Sequence, residues 1–255
     1  MGREEIHEFS RLEREALYKT IFSRRDVREQ FKSDSIPEEV LSRILTAAHH
    51  APSVGFMQPW NFILVISEKV KQKVYDGFIK AHNKATDLFE GKKRDAYQKL
   101  KLEGILESPV NLCITCDRER SGPVVLGRTS MKDMDLYSSV CAVQNLWLAA
   151  RAEGLGVGWV SIIEQDDLQD ALGIPRKIIP IAYLCIGYVS HFNPKPDLES
   201  ADWLKRQNLN DLIYFDQWEQ KHTEESSALR DAIESNKKLV DQYFVPDKQK
   251  AKGAV

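Results

Sequence analysis

Three arginines and an aspartate occur within five residues, in the segment RRDVR at positions 24–28. An arginine guanidinium can bind a phosphate through two parallel hydrogen bonds, and several arginines converging on one phosphate form a strong anion site. Asp26 would stay ionised among them, because a nearby opposite charge favours the carboxylate. The segment predicts either a phosphate site that contains an acid or a solvent-facing basic turn that Asp26 and Glu29 partly neutralise.

Two further segments have compositions suited to a ligand site. The loop APSVGFMQPW at 51–60 is apolar, and its glycine would let the backbone approach a flat ligand closely. Ser53 and Gln58 could hydrogen-bond such a ligand, although a tightly packed connector is the other interpretation. The segment GLGVGWVS at 154–161 looks like a nucleotide loop, but such a loop follows a strand and precedes a helix. Here the helix comes first, so the glycines predict a helix end and a turn into a strand.

Other candidate groups favour structural roles. Cys113 and Cys116 form a CxxC pair, but on a strand their odd separation puts the thiols on opposite faces, and no second pair lies at zinc spacing. His49 and His50 end a helix, where an imidazolium is favoured. The aromatic residues near the end of the chain predict docking anchors rather than a platform for bases: Trp203, Tyr214, Phe215 and Trp218.

The elements that position these segments follow from apolar periodicity. Helices are predicted at 1–20, 37–50, 68–90, 92–107, 132–153, 166–172 and around 227–244. Buried strands are predicted at 62–66, 110–115, 159–163 and 181–187. The class is therefore mixed α/β or α+β. The helix at 132–153 is apolar on more than one face, so it must lie in a large core or, as we favour, in a dimer interface. The residues expected inside are Val140, Val143, Leu146, Trp147 and Ala150.

The composition excludes several classes of protein. The chain has 255 residues, 42% of them apolar and 29% charged, with a formal net charge of −2. This balance is ordinary for a globular protein and offers no basic excess for nucleic acid or an anionic membrane. No apolar run is long enough for a membrane span, and the N-terminus lacks the features of a signal peptide. Four cysteines fit a reducing compartment, so we expect a cytoplasmic protein.

Taken together, the segments RRDVR, SVGFMQPW, SPVNLCITCD and GLGVGWVSI resemble the flavin-dependent nitroreductase superfamily, in particular its branch that forms 5,6-dimethylbenzimidazole. The resemblance covers roughly residues 15–220, which we expect to be one FMN-binding domain. Residues 1–14 would form an N-terminal helical extension, and residues 221–255 a charged, partly disordered C-terminal extension. The resemblance implies an α+β fold with a mixed sheet surrounded by helices. It also implies a homodimer with two interfacial FMN sites and exchanged C-terminal arms.

The resemblance further implies an unusual reaction. Reduced FMN would be the substrate as well as the flavin, dioxygen the co-substrate, and a separate flavin reductase the source of reduced FMN. The products would be 5,6-dimethylbenzimidazole, the lower ligand of vitamin B12, and erythrose 4-phosphate. The apolar loop suits this chemistry, because a dry pocket keeps water from diverting it. We therefore expect a closed pocket with little room for a second substrate.

Carried over position by position, the resemblance assigns the central chemical roles to Asp26 and Ser161. Asp26 would orient or deprotonate a ribityl hydroxyl, or would only organise the arginines, and Ser161 would hydrogen-bond the flavin ring. The residues that it implies for binding FMN are Arg24, Arg25, Val27, Arg28, Pro52, Ser53, Met57, Ser138, Trp159, Val160 and Arg206.

Three other functions stay open at this point. The first is a conventional NAD(P)H-dependent nitroreductase or quinone reductase that keeps FMN as a bound cofactor. The second is a reductase of a cobalt corrinoid, and the third is a non-catalytic protein that stores or delivers FMN. An acid among phosphate-binding arginines argues against storage, since a storage site gains nothing from it. No metal cofactor is expected.

Overall fold

The computed structural model describes residues 8–221 and 226–241. They divide into two compact units, the larger formed by residues 24–192 and the smaller by the described residues on either side of it. The helix predicted at 1–20 and the partly disordered extension predicted at 221–255 each lie partly outside the described residues. The helices are α1 (Arg11–Ser23), α2 (Glu38–His49), α3 (Glu68–Thr86), α4 (Gly91–Lys99), α5 (Met134–Ala152), α6 (Gln165–Leu172), α7 (Asp197–Ser200) and α8 (Ser226–Asp241).

The larger unit is built on a sheet of four antiparallel strands. Its strands are β1 (Trp60–Val65), β2 (Val110–Asp117), β3 (Leu155–Val160) and β4 (Ile178–Tyr188), in the spatial order β1-β2-β4-β3. The α+β class is therefore confirmed. The resemblance implies a mixed sheet, whereas the three strand pairs observed are all antiparallel. In the described chain, parallel pairing is limited to an isolated bridge between Asp26 and Val157.

Helices cover both faces of this sheet. The side chains of α2 and α5 form one core with one face, and those of α3 and α6 form a second core with the other. Strand β2 is buried on both faces, so Leu112 enters the first core and Cys113 the second. Cys116 faces Ser139 of α5, which confirms that the CxxC thiols point in opposite directions. All four cysteines are free, and burial raises the pKa of Cys113 to about 12.

Several element boundaries differ from the periodic prediction, and three differences bear on the cores and the candidate site. Helix α4 ends at Lys99 instead of 107, because Leu102 and Ile105 enter the second core from a segment that is not helical. Strand β3 begins at Leu155 instead of 159, since its glycines are strand residues rather than a turn. Val140, which the sequence predicts inside a core or a dimer interface, is 42% exposed in the single chain and therefore lies outside both cores. These differences arise where tertiary packing overrides local preference.

The two histidines at the end of α2 have structural roles, as predicted. His50 is the residue that ends the helix, and its Nδ1 lies 2.8 Å from the Thr46 carbonyl oxygen. Trp60 Nε1 donates to His49 Nδ1 over 3.1 Å. The pair therefore ties the end of α2 to the start of β1.

The smaller unit contains α1, α7, a 3-10 turn at Leu209–Leu212 and α8. Arg230 of α8 donates to the Asn210 carbonyl oxygen over 2.9 Å, so α8 is fastened to this turn. The Tyr214 and Trp218 rings lie 4.8 Å apart, and their predicted docking role stays a prediction. Within the described ranges, no helix combines the length and the apolar character that a membrane span requires.

Candidate functional site

The arginine-rich segment 24–28 lies against β3. Val27 N–H donates to the Val157 carbonyl oxygen over 3.0 Å, next to the bridge that Asp26 forms with Val157. This approach depends on glycine, because a Cβ at Gly158 would lie 2.0 Å from the Val27 carbonyl oxygen. At Gly156 a Cβ would lie 2.9 Å from Val27 Cγ2. The two glycines therefore admit the segment that carries Asp26.

This finding corrects part of the interpretation of GLGVGWVS. Gly154 follows α5 with a φ of +81°, so it serves as the predicted helix end. Gly156 and Gly158 do not form the predicted turn, since both lie within β3 and pair with β4. Because Gly156 and Gly158 have no side chain, the backbone of β3 can lie close to the backbone of the arginine segment.

Two donors hold the Asp26 carboxylate. Its Oδ1 accepts the Trp159 backbone N–H over 2.9 Å, and its Oδ2 accepts Arg28 Nη2 over 2.5 Å. The Arg28 side chain is only 11% exposed, and its Nε is buried and meets no acceptor among the described residues. Burying a donor without an acceptor is costly. This nitrogen therefore fits an acceptor atom that a bound ligand would bring.

The other two arginines pack on α5. The Arg24 guanidinium lies 4.6 Å from the centre of the Trp147 ring, which is within the range of a cation–π interaction. Trp147 Nε1 donates to the Arg25 carbonyl oxygen over 3.3 Å, and Arg25 Nη1 donates to the Arg24 carbonyl oxygen over 2.6 Å. Arg25 and Val27 are both buried. The alternative of a solvent-facing basic turn is therefore wrong.

The apolar loop at 51–60 is held in shape by two serines. Ser53 Oγ accepts the Gln58 N–H, and Ser138 Oγ of α5 accepts the Val54 N–H, each over 3.1 Å. Phe56 and Gln58 have φ values of +54° and +46°, in the left-handed region that only a few per cent of such residues adopt. Backbone strain of this kind persists where the surroundings enforce it, and it is typical of functional sites.

Helix α5 joins the two parts of the candidate site. Ser138 contacts the apolar loop and Trp147 contacts the arginine segment. They are nine residues apart, so about 13 Å of helix separates them. The Trp147 and Trp159 rings lie 6.3 Å apart, which links the same helix to the strand that donates to Asp26.

The structure does not gather every predicted residue into this arrangement. Ser161 directly follows β3 and is exposed, whereas the Val160 side chain packs in the core with α3 and α6. Pro52 is exposed and Met57 is buried. Arg206 is an exposed residue of the smaller unit.

Sequence reasoning missed a buried ion cluster beside the apolar loop. Asp135, fully buried in the first turn of α5, accepts Arg118 Nε over 2.9 Å and Arg128 Nη1 over 2.6 Å. Burial by itself would raise the pKa of Asp135, but hydrogen bonds from Arg118 and from the Leu136 N–H hold that pKa below its usual value. Two arginines upstream of an acid in an otherwise apolar helix were the available signal.

The chain is similar in sequence and in fold to several known proteins. The Nitroreductase family model matches residues 21–188. A 5,6-dimethylbenzimidazole synthase of Rhodospirillum rubrum is 42% identical over 183 residues, which are 72% of this chain and 86% of that protein. The fold is similar to that of a BluB-like flavoprotein from Clostridium difficile 630, with a TM-score of 0.60, 19% identity and coverage of 79% of this chain and 99% of that one.

A second solved structure has a similar fold. It is an oxidized iodotyrosine deiodinase bound to FMN and 3-iodo-L-tyrosine. The TM-score is 0.63 at 22% identity, and the match covers 79% of this chain and 100% of the other.

Proposed function

Because the chain belongs to the nitroreductase family, we propose that it is a 5,6-dimethylbenzimidazole synthase that binds reduced FMN and fragments it with dioxygen. The observation that carries the proposal is the position of Asp26, an acid fixed by two donors inside an arginine-rich segment. A site that only holds a phosphate has no use for that carboxylate. The name of the relative from Rhodospirillum rubrum supports the same activity.

The arginine segment is proposed to bind the phosphate and ribityl part of FMN. The unpartnered Nε of Arg28 supports this role, since it offers a buried donor to an acceptor atom. Bound and reduced, FMN supplies the electrons for dioxygen reduction and the ribityl carbon that enters the product. The residues proposed for binding are Arg24, Arg25, Val27, Arg28, Pro52, Ser53, Met57, Ser138, Trp159, Val160 and Arg206. For Val160 we propose a backbone contact, because its side chain is in the core.

Asp26 is proposed to act on a ribityl hydroxyl. Cleavage of a carbon–carbon bond next to that hydroxyl requires a group that accepts its proton. The donors Trp159 N–H and Arg28 Nη2 fix the direction of the Asp26 carboxylate, which is thereby preorganised for this task. Ser161 is proposed to hydrogen-bond the flavin ring, and its exposure leaves the hydroxyl accessible.

We also infer that two copies of the chain form the working enzyme and that the C-terminal arms exchange between them. Tyr137 and Val140 lie three residues apart on α5, so they share a face, and both are exposed. Phe56 and Leu126 expose 83% and 84% of their surfaces. Phe56 and Leu126 lie on two loops that pack together at Gly55, and neighbouring exposed apolar side chains of this kind favour an interface with a partner. The second copy would supply the closure that a dry site requires.

The source of reduced FMN and the compartment also belong to the proposal. A separate flavin reductase would supply the reduced FMN. The four free cysteines support a reducing compartment, and we propose the cytoplasm.

A single-turnover experiment tests this function. Excess protein is mixed anaerobically with reduced FMN, dioxygen is admitted, and the products are separated and identified by mass. We expect 5,6-dimethylbenzimidazole among the products. It should not form in a control with reduced FMN and no protein, or in a control with protein and NAD(P)H alone. If only oxidised FMN and hydrogen peroxide form, while NAD(P)H with a nitroaromatic is turned over rapidly, the protein is a reductase instead.

The role of Asp26 is tested with Asp26→Asn, and Asp34→Asn is the control, because Asp34 is an exposed aspartate eight residues further along the chain. If Asp26→Asn binds FMN normally but makes no product, the carboxylate takes part in the chemistry. If it loses FMN binding, the carboxylate organises the arginines. An Asp26→Asn protein with full product formation would contradict both roles.

A further inference from the structure

The segment at 118–133, here called the stapled loop, is fastened by three arginines. Arg118 and Arg128 both donate to Asp135, and Arg128 Nη1 also donates to the Arg118 carbonyl oxygen. Arg120 Nη1 donates to the carbonyl oxygens of Gln58 and Trp60, over 2.7 and 2.8 Å. The loop is therefore tied both to the start of α5 and to the end of the apolar loop.

The stapled loop packs directly on the turn of the apolar loop. A Cβ at Gly55 would lie 2.8 Å from Val125 Cγ1 and 2.9 Å from the Leu126 carbonyl oxygen. A Cβ at Gly127 would lie 3.1 Å from Val54 Cγ2. These separations leave no room for an intervening water layer. Any shift of the stapled loop must therefore move the turn at 54–56 or open a gap beside it.

Asp135 is the centre of this arrangement. Its Oδ2 accepts both arginines and its Oδ1 accepts the Leu136 N–H over 2.9 Å. Charge-assisted hydrogen bonds are stronger than neutral ones, and they are strongest away from water. The contrast with Asp133 is useful, because that neighbour also pairs with Arg118 but lies at the surface, with 53% of its side chain exposed.

We propose that Asp135, through Arg118 and Arg128, is a positioning residue that holds the stapled loop against the apolar loop and so directs the reaction toward fragmentation. The inference rests on the proposed function. Reduced FMN has a competing reaction with dioxygen, in which two electrons and two protons pass to dioxygen and give oxidised FMN and hydrogen peroxide. A loosened loop admits water beside the apolar turn and favours that reaction.

The first test is tryptic cleavage of the protein without flavin. The stapled loop offers bonds after Arg118, Arg120, Arg128 and Lys132, and Asp135→Asn and Asp133→Asn both leave these bonds in place. We expect cleavage within the loop to accelerate at least tenfold in Asp135→Asn and less than twofold in Asp133→Asn. Equal protection in both folded variants overturns the proposal.

The second test is the partition of one turnover, measured as the ratio of 5,6-dimethylbenzimidazole to hydrogen peroxide with protein in excess over reduced FMN. We expect at least a fivefold fall for Asp135→Asn and no change for Asp133→Asn. A loss of stability alone would lower the amount of active protein and leave this ratio unchanged. A loop that is cleaved faster while the ratio stays at the wild-type value overturns the positioning role.

A third variant keeps the proposal testable if Asp135→Asn does not fold. Arg118→Gln removes the more exposed arginine and leaves the Arg128–Asp135 pair intact, so no buried charge loses its last partner. We expect intermediate values in both tests, and wild-type values in both would overturn the proposal. If the wild-type protein makes no 5,6-dimethylbenzimidazole, the proposed function fails, whereas the proteolysis still reports whether Asp135 fastens the loop.

Discussion

Replacement of Gly158 by alanine tests the contact that admits the Asp26 segment to β3. The added Cβ would lie 2.0 Å from the Val27 carbonyl oxygen, and real Cβ atoms essentially never come closer than 3.0 Å to such an atom. The segment at 24–28 must therefore move away from β3 by about 1 Å, because a backbone atom cannot rotate aside as a flexible side chain can. A shift of that size breaks the Val27 N–H bond to Val157, now 3.0 Å long.

The expected magnitude follows from the bonds that are lost. One is a backbone hydrogen bond, and the other is the bond from Trp159 N–H to the Asp26 carboxylate, now 2.9 Å long. A neutral bond contributes about 0.5–1.5 kcal/mol and a bond to a charged group about 1.5–3 kcal/mol, so Gly158→Ala should lower the free energy of unfolding by about 2–4 kcal/mol.

Gly154→Ala is the matched control, since it alters the same sequence motif. A Cβ at Gly154 meets nothing within 4 Å, and only the φ of +81° opposes it, which costs about 1 kcal/mol. Unfolding in guanidinium followed by circular dichroism gives both free energies, and quenching of FMN fluorescence gives binding. We expect Gly158→Ala to weaken FMN binding more than tenfold and Gly154→Ala less than threefold. Equal losses of stability in the two variants would refute the close approach.

Three further predictions concern other buried groups. The folded-state pKa of Asp135 lies below its unfolded value, so the ionised carboxylate stabilises the fold fully above about pH 4, and this stabilisation is lost as the pH falls further. The difference in unfolding free energy between wild type and Asp135→Asn should therefore shrink from pH 5 to pH 3. A constant difference would argue against the ion cluster. Burial raises the pKa of both Cys113 and Cys185 to about 12, so a thiol reagent at pH 8 should leave both thiols unmodified in native protein and react with them only after unfolding. Peptide mass mapping checks this, and modification of either thiol in the folded protein would count against its burial. Lys71→Met removes a buried ammonium that donates to the carbonyl oxygens of Ser108 and Pro109, just before β2. A denaturant titration should show a free energy of unfolding that is lower by about 2–3 kcal/mol. A loss below about 1 kcal/mol would count against this role of the ammonium.

Much of the element order could be predicted from the sequence, because helix and strand periodicities are local properties. The helix predicted at 37–50 is found at Glu38–His49, and the strand predicted at 110–115 lies within Val110–Asp117. The helix predicted at 92–107 is longer than α4, because Leu102 and Ile105 have helical spacing but enter the core from an irregular segment. The competing preference there is tertiary, so no local pattern reveals it.

The candidate site divides in the same way. The sequence by itself identified the segments of the candidate site, because three arginines around Asp26 and an apolar glycine loop are unusual as local compositions. Only the tertiary structure decided that Gly156 and Gly158 admit Asp26 to β3 and that Trp159 donates to its carboxylate. These partners lie more than 120 residues apart, and a contact at that separation leaves no periodic signal along the chain. It arises from packing of the whole larger unit, in which a missing side chain at one point creates the space that a distant backbone fills.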